Sequence, residues 1–155
     1  MRLTTSAALL LSVAGFASYA QTPARSHASQ PDIKWGPAPA VFPAGAQMAV
    51  LQGDPSGNSV FTVRLRFPDG YKLAAHTHPT DEQVTVISGT FRIGMGKTFD
   101  TKGMLTLNAG GFATAPANMP HYAAAQGETV VQVHAVGPFV LTYVNPADLP
   151  KAASR

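Results

Sequence analysis

Gly70-Tyr-Lys-Leu-Ala-Ala-His-Thr-His-Pro-Thr-Asp-Glu-Gln-Val-Thr-Val-Ile-Ser-Gly89 is the stretch that decides how this chain is read. It sets His76 and His78 two residues apart and places Glu82 four further on. Side chains at i and i+2 of an extended strand share a face, so the two imidazoles aim at one point. Glu82 reaches that point from the start of the next strand. A third histidine, His121, follows in a segment punctuated by Gly and Pro. Three imidazoles and one carboxylate are a donor set that a divalent transition metal takes from a protein. Gln83 competes with Glu82, because a bulge after Pro79 would exchange their faces. The anionic charge favours Glu82, and Asp81 reads as a turn residue.

Outward from this stretch the pattern is strand, turn, strand. Ala46 to Leu51 is a short apolar strand, and Gly53 to Asn58 is a turn cluster. Ser59 to Phe67 alternates, with Phe61, Val63, Leu65 and Phe67 on one face and Arg64 and Arg66 on the other. Further strands are expected at Tyr71–His76, Glu82–Ile87, Thr90–Gly94, Leu105–Leu107, Phe112–Ala115, His121–Ala125, Val130–Val136 and Phe139–Val144. Helical periodicity is confined to the tail, Ala147 to Ser154. Many short strands with frequent Gly/Pro turns predict an all-β sandwich or small barrel.

With the strands in place, the chain resembles a cupin, a double-stranded β-helix (jelly-roll) barrel. The first cupin motif, G-x5-H-x-H-x(3,4)-E-x6-G, is matched by Gly70, His76, His78, Glu82 and Gly89. The second, G-x5-P-x-G-x2-H-x3-N, is matched by Gly110, Pro116 and His121. Asn118 replaces its second Gly and Ala125 its final Asn; neither change removes a ligand. Asn follows Gly in tolerance of a left-handed turn, so the loop is expected to keep its shape. The resemblance implies that His76, His78, Glu82 and His121 hold one divalent transition metal per chain, be it Fe, Mn, Ni, Cu or Zn. It also implies a mostly apolar pocket, with Phe61, Val63, Val84, Val86 or Phe91 as its walls, and pairing into a homodimer.

The 155-residue length favours one domain. Residues 1–20 read as a secretory signal peptide: Met1-Arg2, an apolar run from Ala7 to Ala17, and the small residues of Ser18-Tyr19-Ala20. That run is too short for a membrane span, so the cleaved chain is expected in the periplasm or secreted, with no stable membrane insertion. Residues 21–45 are a Pro/Ala-rich arm, with Trp35 and Phe42 as docking points. Residues 46–146 form the barrel and 147–155 a tail. There is no cysteine, which excludes disulfides, thiolate ligands and a Cys nucleophile. The net charge of +3 comes from scattered basic residues rather than a phosphate-binding stripe. A small molecule is therefore the expected partner, and nucleic acid is not.

The expected function is that of a periplasmic, metal-dependent oxidoreductase of the dioxygenase-like kind. The same site would also serve a metal-dependent isomerase or lyase, or a non-catalytic barrel that binds or senses a small molecule. Glu82 is a candidate base for a substrate hydroxyl proton. His134 is a second catalytic candidate, as acid/base or hydrogen-bond partner, if its strand turns it inward; otherwise it is a half-buried strand histidine. Gln132, Tyr122 and Tyr143 carry the same ambiguity, Met95, Met104 and Met119 read as packing, and His27 as inert.

Overall fold

A computed structural model of the chain describes residues 32–151. The expected signal peptide, residues 21–31 of the arm with His27, and residues 152–155 of the tail lie outside the described residues. Among the described residues nine strands follow one another: β1 (Gly36–Pro37), β2 (Gln47–Gln52), β3 (Val60–Phe67), β4 (Lys72–Thr77), β5 (Glu82–Met95), β6 (Leu105–Asn108), β7 (Phe112–Ala115), β8 (His121–Val136) and β9 (Thr142–Tyr143). Every pairing among them is antiparallel. No helix among the described residues is long and apolar enough to cross a membrane.

The architecture grows from one long ladder. β5 and β8 pair from Gln83↔His134 at one end to Met95↔His121 at the other. The first half of β5 and the second half of β8 are flanked by β7 and β3. The other halves are flanked by β6 and β4. The ladder thus belongs to two layers, extended by β2 and β1 on one side and by β9 on the other. Alternating side chains from both layers fill the space between them. Phe67 of β3 stacks on Tyr71 at 4.8 Å and on Phe91 of β5 at 6.3 Å. This is the expected all-β jelly-roll barrel.

The two layers meet because both long strands bend at one level. The β5–β8 register shifts on either side of Ser88, next to Gly89, whose φ is +78°. Opposite, Gly127 has φ +71°. Thr129 is fully buried; its hydroxyl shares one proton between the Thr90 and Gly127 carbonyls, each at 3.1 Å, and accepts from the Thr90 amide at 3.2 Å. A bulge of this kind raises local twist and bends a sheet.

Several expected elements differ. The two strands expected over Glu82–Gly94 are one, as are the two over His121–Val136, because each bend interrupts the alternation without breaking the pairing. The strand expected at Phe139–Val144 shrinks to Thr142–Tyr143, and Phe139 to Leu141 form a loop over the barrel mouth. Among the described residues of the tail region a 3-10 turn forms, Pro146–Asp148, capped by the Asn145 side chain. Phe42 of the arm is buried in this chain's own barrel, and Trp35 packs against Arg66 at 4.0 Å.

On the outside of β3 a polar ladder fixes the register. Thr62 hydrogen-bonds His134, Arg64 donates to Gln132, and Arg66 donates to Gln47, each pair directly opposite across a strand boundary. These contacts hold Phe61, Val63, Leu65 and Phe67 inward.

A Cβ at Gly89 would lie 2.3 Å from the Glu128 carbonyl oxygen, on backbone already in the left-handed region. Gly89→Ala is therefore expected to cost about 2–4 kcal/mol of folding stability. Urea denaturation checks this; a loss under about 0.5 kcal/mol would mean the bend relaxes without strain.

Candidate metal centre

The bend is what makes a site. His121 and Glu82 open β8 and β5, whose pairing is antiparallel, so they start at opposite ends of the ladder. On a flat ladder about 40 Å of strand would separate them, at roughly 3.3 Å per residue. In the closed barrel Glu82 Oε2 lies 3.3 Å from His121 Nε2 and 3.8 Å from His78 Nε2. His76 comes from β4 directly opposite His121 across the β4–β8 pairing, and His78 follows two residues later. The ligand atoms of His76, His78 and His121 lie within 4.8 Å of one another, and all three residues are buried. These three histidines could hold a metal ion. The regular start of β5 turns Glu82 inward and Gln83 out to solvent.

Backbone carbonyls orient all three rings. His76 Nδ1 donates to Ala74 O at 2.7 Å, His78 Nδ1 to Val140 O at 2.8 Å, and His121 Nδ1 to Met119 O at 2.9 Å. A carbonyl only accepts, so the ring proton sits on Nδ1, and a neutral ring turns its Nε2 lone pair inward. The Nε2 atoms of His78 and His121 are buried without a hydrogen-bond partner. Buried polar atoms are rarely left so, and lone pairs facing a carboxylate in an apolar cavity repel unless a cation or a proton lies between them. The donor set fits a divalent transition metal on this ground.

The electrostatics agree. Burial, with repulsion from His121 and His78, pulls His76 down to about 3 despite its carbonyl bond and the Glu82 charge. Burial also lowers His78, outweighing Glu82 and the Val140 carbonyl. Burial pushes Glu82 up, but its contact with His121 and the positive potential of the three rings more than reverse this, leaving it below its ordinary value. Burial pulls His121 down, and here the contact with Glu82 and the Met119 carbonyl win, so it is raised. Without metal, the two shifts favour the same arrangement, a proton on His121 facing an ionised Glu82.

The loops carrying the ligands are bolted together. Asn118 N donates to His78 O at 2.7 Å, Ala117 N to Asp81 Oδ1 at 2.8 Å, and Thr80 Oγ1 to Val136 O at 2.6 Å. Asn118 has φ +60°, so it takes the left-handed turn of the glycine it replaces; Gly70, Gly89 and Gly110 are also at positive φ. Ala125 is buried in the core.

The interior beside the cluster has only about 20 Å³ of free volume. Val84 and Phe91 line it as expected, with Leu65, Phe67 and Val133 among the other walls, while Phe61, Val63 and Val86 stay in the packed core. His134 does not enter: it is exposed on the outer face, bonded through Nδ1 to Thr62 at 2.9 Å, and takes no part in the cavity. Gln132 shares that face. Tyr122 and Tyr143 spend their hydroxyls on the Asp100 and Val41 carbonyls. Met104 is buried, whereas Met95 and Met119 are largely exposed. Phe139, unremarked in the sequence, lies flat on His78 with ring centroids 4.5 Å apart. Its signal is only its place between Pro138 and Val140 after the last long strand.

The barrel that encloses the cluster has the cupin fold. The model of the DUF4437 family, a domain of unknown function, matches residues 27–142, and the chain belongs to that family. Among solved structures, a candidate acetylacetone dioxygenase from Methylibium petroleiphilum PM1 is similar at 25% identity and a TM-score of 0.60, covering 83% of this chain and 87% of the other. An RmlC-like cupin from Shewanella frigidimarina NCIMB 400 is similar at 14% identity and TM-score 0.58, covering 74% and 93%. The polyketide cyclase RemF from Streptomyces resistomycificus is similar at 14% identity and TM-score 0.65, covering 81% and 89%. Among curated proteins nothing matches the chain.

Two expectations follow. Because one proton must leave the His121–Glu82 pair when a metal enters, apparent metal affinity should fall about tenfold over the first pH unit below 6.5. Calorimetry in buffers of different ionisation enthalpy should register the released proton; affinity flat across that unit would show His121 unprotonated. Asn118→Gly should keep metal affinity, whereas Asn118→Val should lower stability by about 1–3 kcal/mol and weaken metal uptake. Equal behaviour of the two variants would remove the left-handed turn from the account.

Proposed function

We propose that this protein is an exported, metal-dependent oxidoreductase of the dioxygenase-like kind, acting on a small organic molecule. The observation that carries the reading is the convergence of three carbonyl-oriented histidines on one buried carboxylate inside an apolar barrel. In this reading His76, His78, Glu82 and His121 hold one divalent transition metal. Such an ion supplies Lewis acidity and, if it is iron, manganese, nickel or copper, a one-electron couple.

The chain's own residues do the rest. Glu82 is the only acidic side chain buried among the described residues, and once shifted off the ion it takes the proton from a substrate hydroxyl. Apolar walls exclude water and strengthen every charge interaction beside it. This reading gives no role to His134, which is exposed on the outer face and bonded to Thr62. The likeness to the Methylibium protein supports the oxidative chemistry and makes enolisable diketones sensible first compounds to assay. The N-terminal sequence supports export, with a mature chain starting at Gln21, and the family resemblance supports a homodimer.

Elemental analysis of protein purified from its native compartment tests the reading, beside a His76→Ala/His121→Ala variant. Near-stoichiometric redox metal, lost in the variant and accompanied by oxygen uptake on phenols, enediols or diketones, is expected. Turnover without oxygen would move the protein to the isomerase or lyase class. Failure to hold any metal, even after reconstitution, would leave a ligand-binding barrel.

A further inference from the structure

The histidine cluster itself is nearly sealed from solvent, with His76, His78 and His121 buried. Phe42, Phe139 and Leu141 line the cavity beside it and also a second space, an apolar groove of about 310 Å³. Val41, Met48, Val50 and Pro55 line the rest of that groove. Phe42, Phe139 and Leu141 are the wall that the two spaces share.

The three parts of that wall are not equally free to move. Phe139 lies flat on His78, and the next carbonyl, Val140 O, holds the His78 ring proton. Displacing that loop would unseat a histidine of the cluster. Leu141 follows directly and runs into β9. Phe42 touches no such constraint. Its segment is held down by two phenolic hydroxyls, one on each side: Tyr143 donates to Val41 O at 2.8 Å and Tyr71 to Pro43 O at 2.9 Å. A short β1–β2 pairing anchors the arm behind it.

The lining also sets the charge of what can pass. No lysine or arginine lines either compartment. The carboxylates present are Glu82 inside and Asp54 at the rim, the latter already accepting from the Ser56 amide and hydroxyl. With no lysine or arginine on the way in, an ion of either sign would have to cross apolar walls before it reached the cluster.

We propose that Phe42 is the movable part of this wall, lifting with the segment between Ala38 and Pro43 to admit small, uncharged, largely apolar molecules to the histidine cluster. What such a molecule undergoes there rests on the function proposed above; the gate itself needs no metal.

Diethyl pyrocarbonate, a small uncharged reagent for imidazole nitrogen, tests the gate in the metal-free full chain. His134, exposed on the outer face, serves as the ruler within each molecule. Peptide masses should show His76 and His78 of the wild type modified at least about tenfold more slowly than His134, because the reagent enters only through the open fraction. Phe42→Ala should remove most of that protection. Tyr71→Phe/Tyr143→Phe, which cuts both hydroxyl straps but keeps the rings, should do the same, leaving the His134 rate unchanged. Cyclohexanone should slow modification of the barrel histidines, and benzoate should not.

Wild-type barrel histidines reacting as fast as His134 would overturn the gate. So would protection that persists in both variants with native circular dichroism. Equal protection by benzoate would overturn the charge preference. A chain that holds no metal would defeat the proposed function and leave these results standing.

Discussion

A two-stranded ladder folded back on itself is the constraint on which this structure depends. β5 and β8 carry Glu82 and His121 at opposite ends, and only the shared bend at Gly89 and Gly127 brings the two into contact. Closing the barrel and assembling the site are therefore one event. A chain with the bend unformed has no cluster, and an ion bound to the cluster favours the closed chain by mass action. The fully buried Thr129 locks the corner with bonds that no apolar side chain of its size would supply.

The interior is balanced between two demands. An apolar barrel penalises the charges it encloses, yet it holds a carboxylate among three imidazoles. The 3.3 Å approach of His121 to Glu82 keeps either from standing as an isolated buried group, and the three histidines beside it could hold a cation. The cover over the mouth rests on few contacts: burial of Phe42, worth about 1.5–3 kcal/mol, and two tyrosine hydroxyl bonds, each worth about 0.5–1.5 kcal/mol.

Much of this was legible from residue spacing. Two histidines at i and i+2 share a face on any strand, and the outward Arg64 and Arg66 fix which face of β3 is buried. The four turn positions of the two motifs all sit at positive φ, with Asn118 in the role of a glycine. What spacing could not reveal depends on partners distant in sequence. His134 faces outward because it pairs with Thr62, a relation set by register rather than by its neighbours. The bends in β5 and β8 read locally as strand ends. Phe42 and Phe139 come from stretches with no periodicity, and only closure of the barrel brings them to the same wall.

The three ring-orienting bonds have a consequence for how such a site changes over generations. Their acceptors are main-chain oxygens at Ala74, Met119 and Val140, which every amino acid possesses. The side chains at these positions can drift while the imidazoles stay aimed, so the most important supports of the centre leave no mark of their own in a sequence. Its orientation is inherited through the path of the backbone. Retuning it would take a shift of a loop rather than a replacement of a residue.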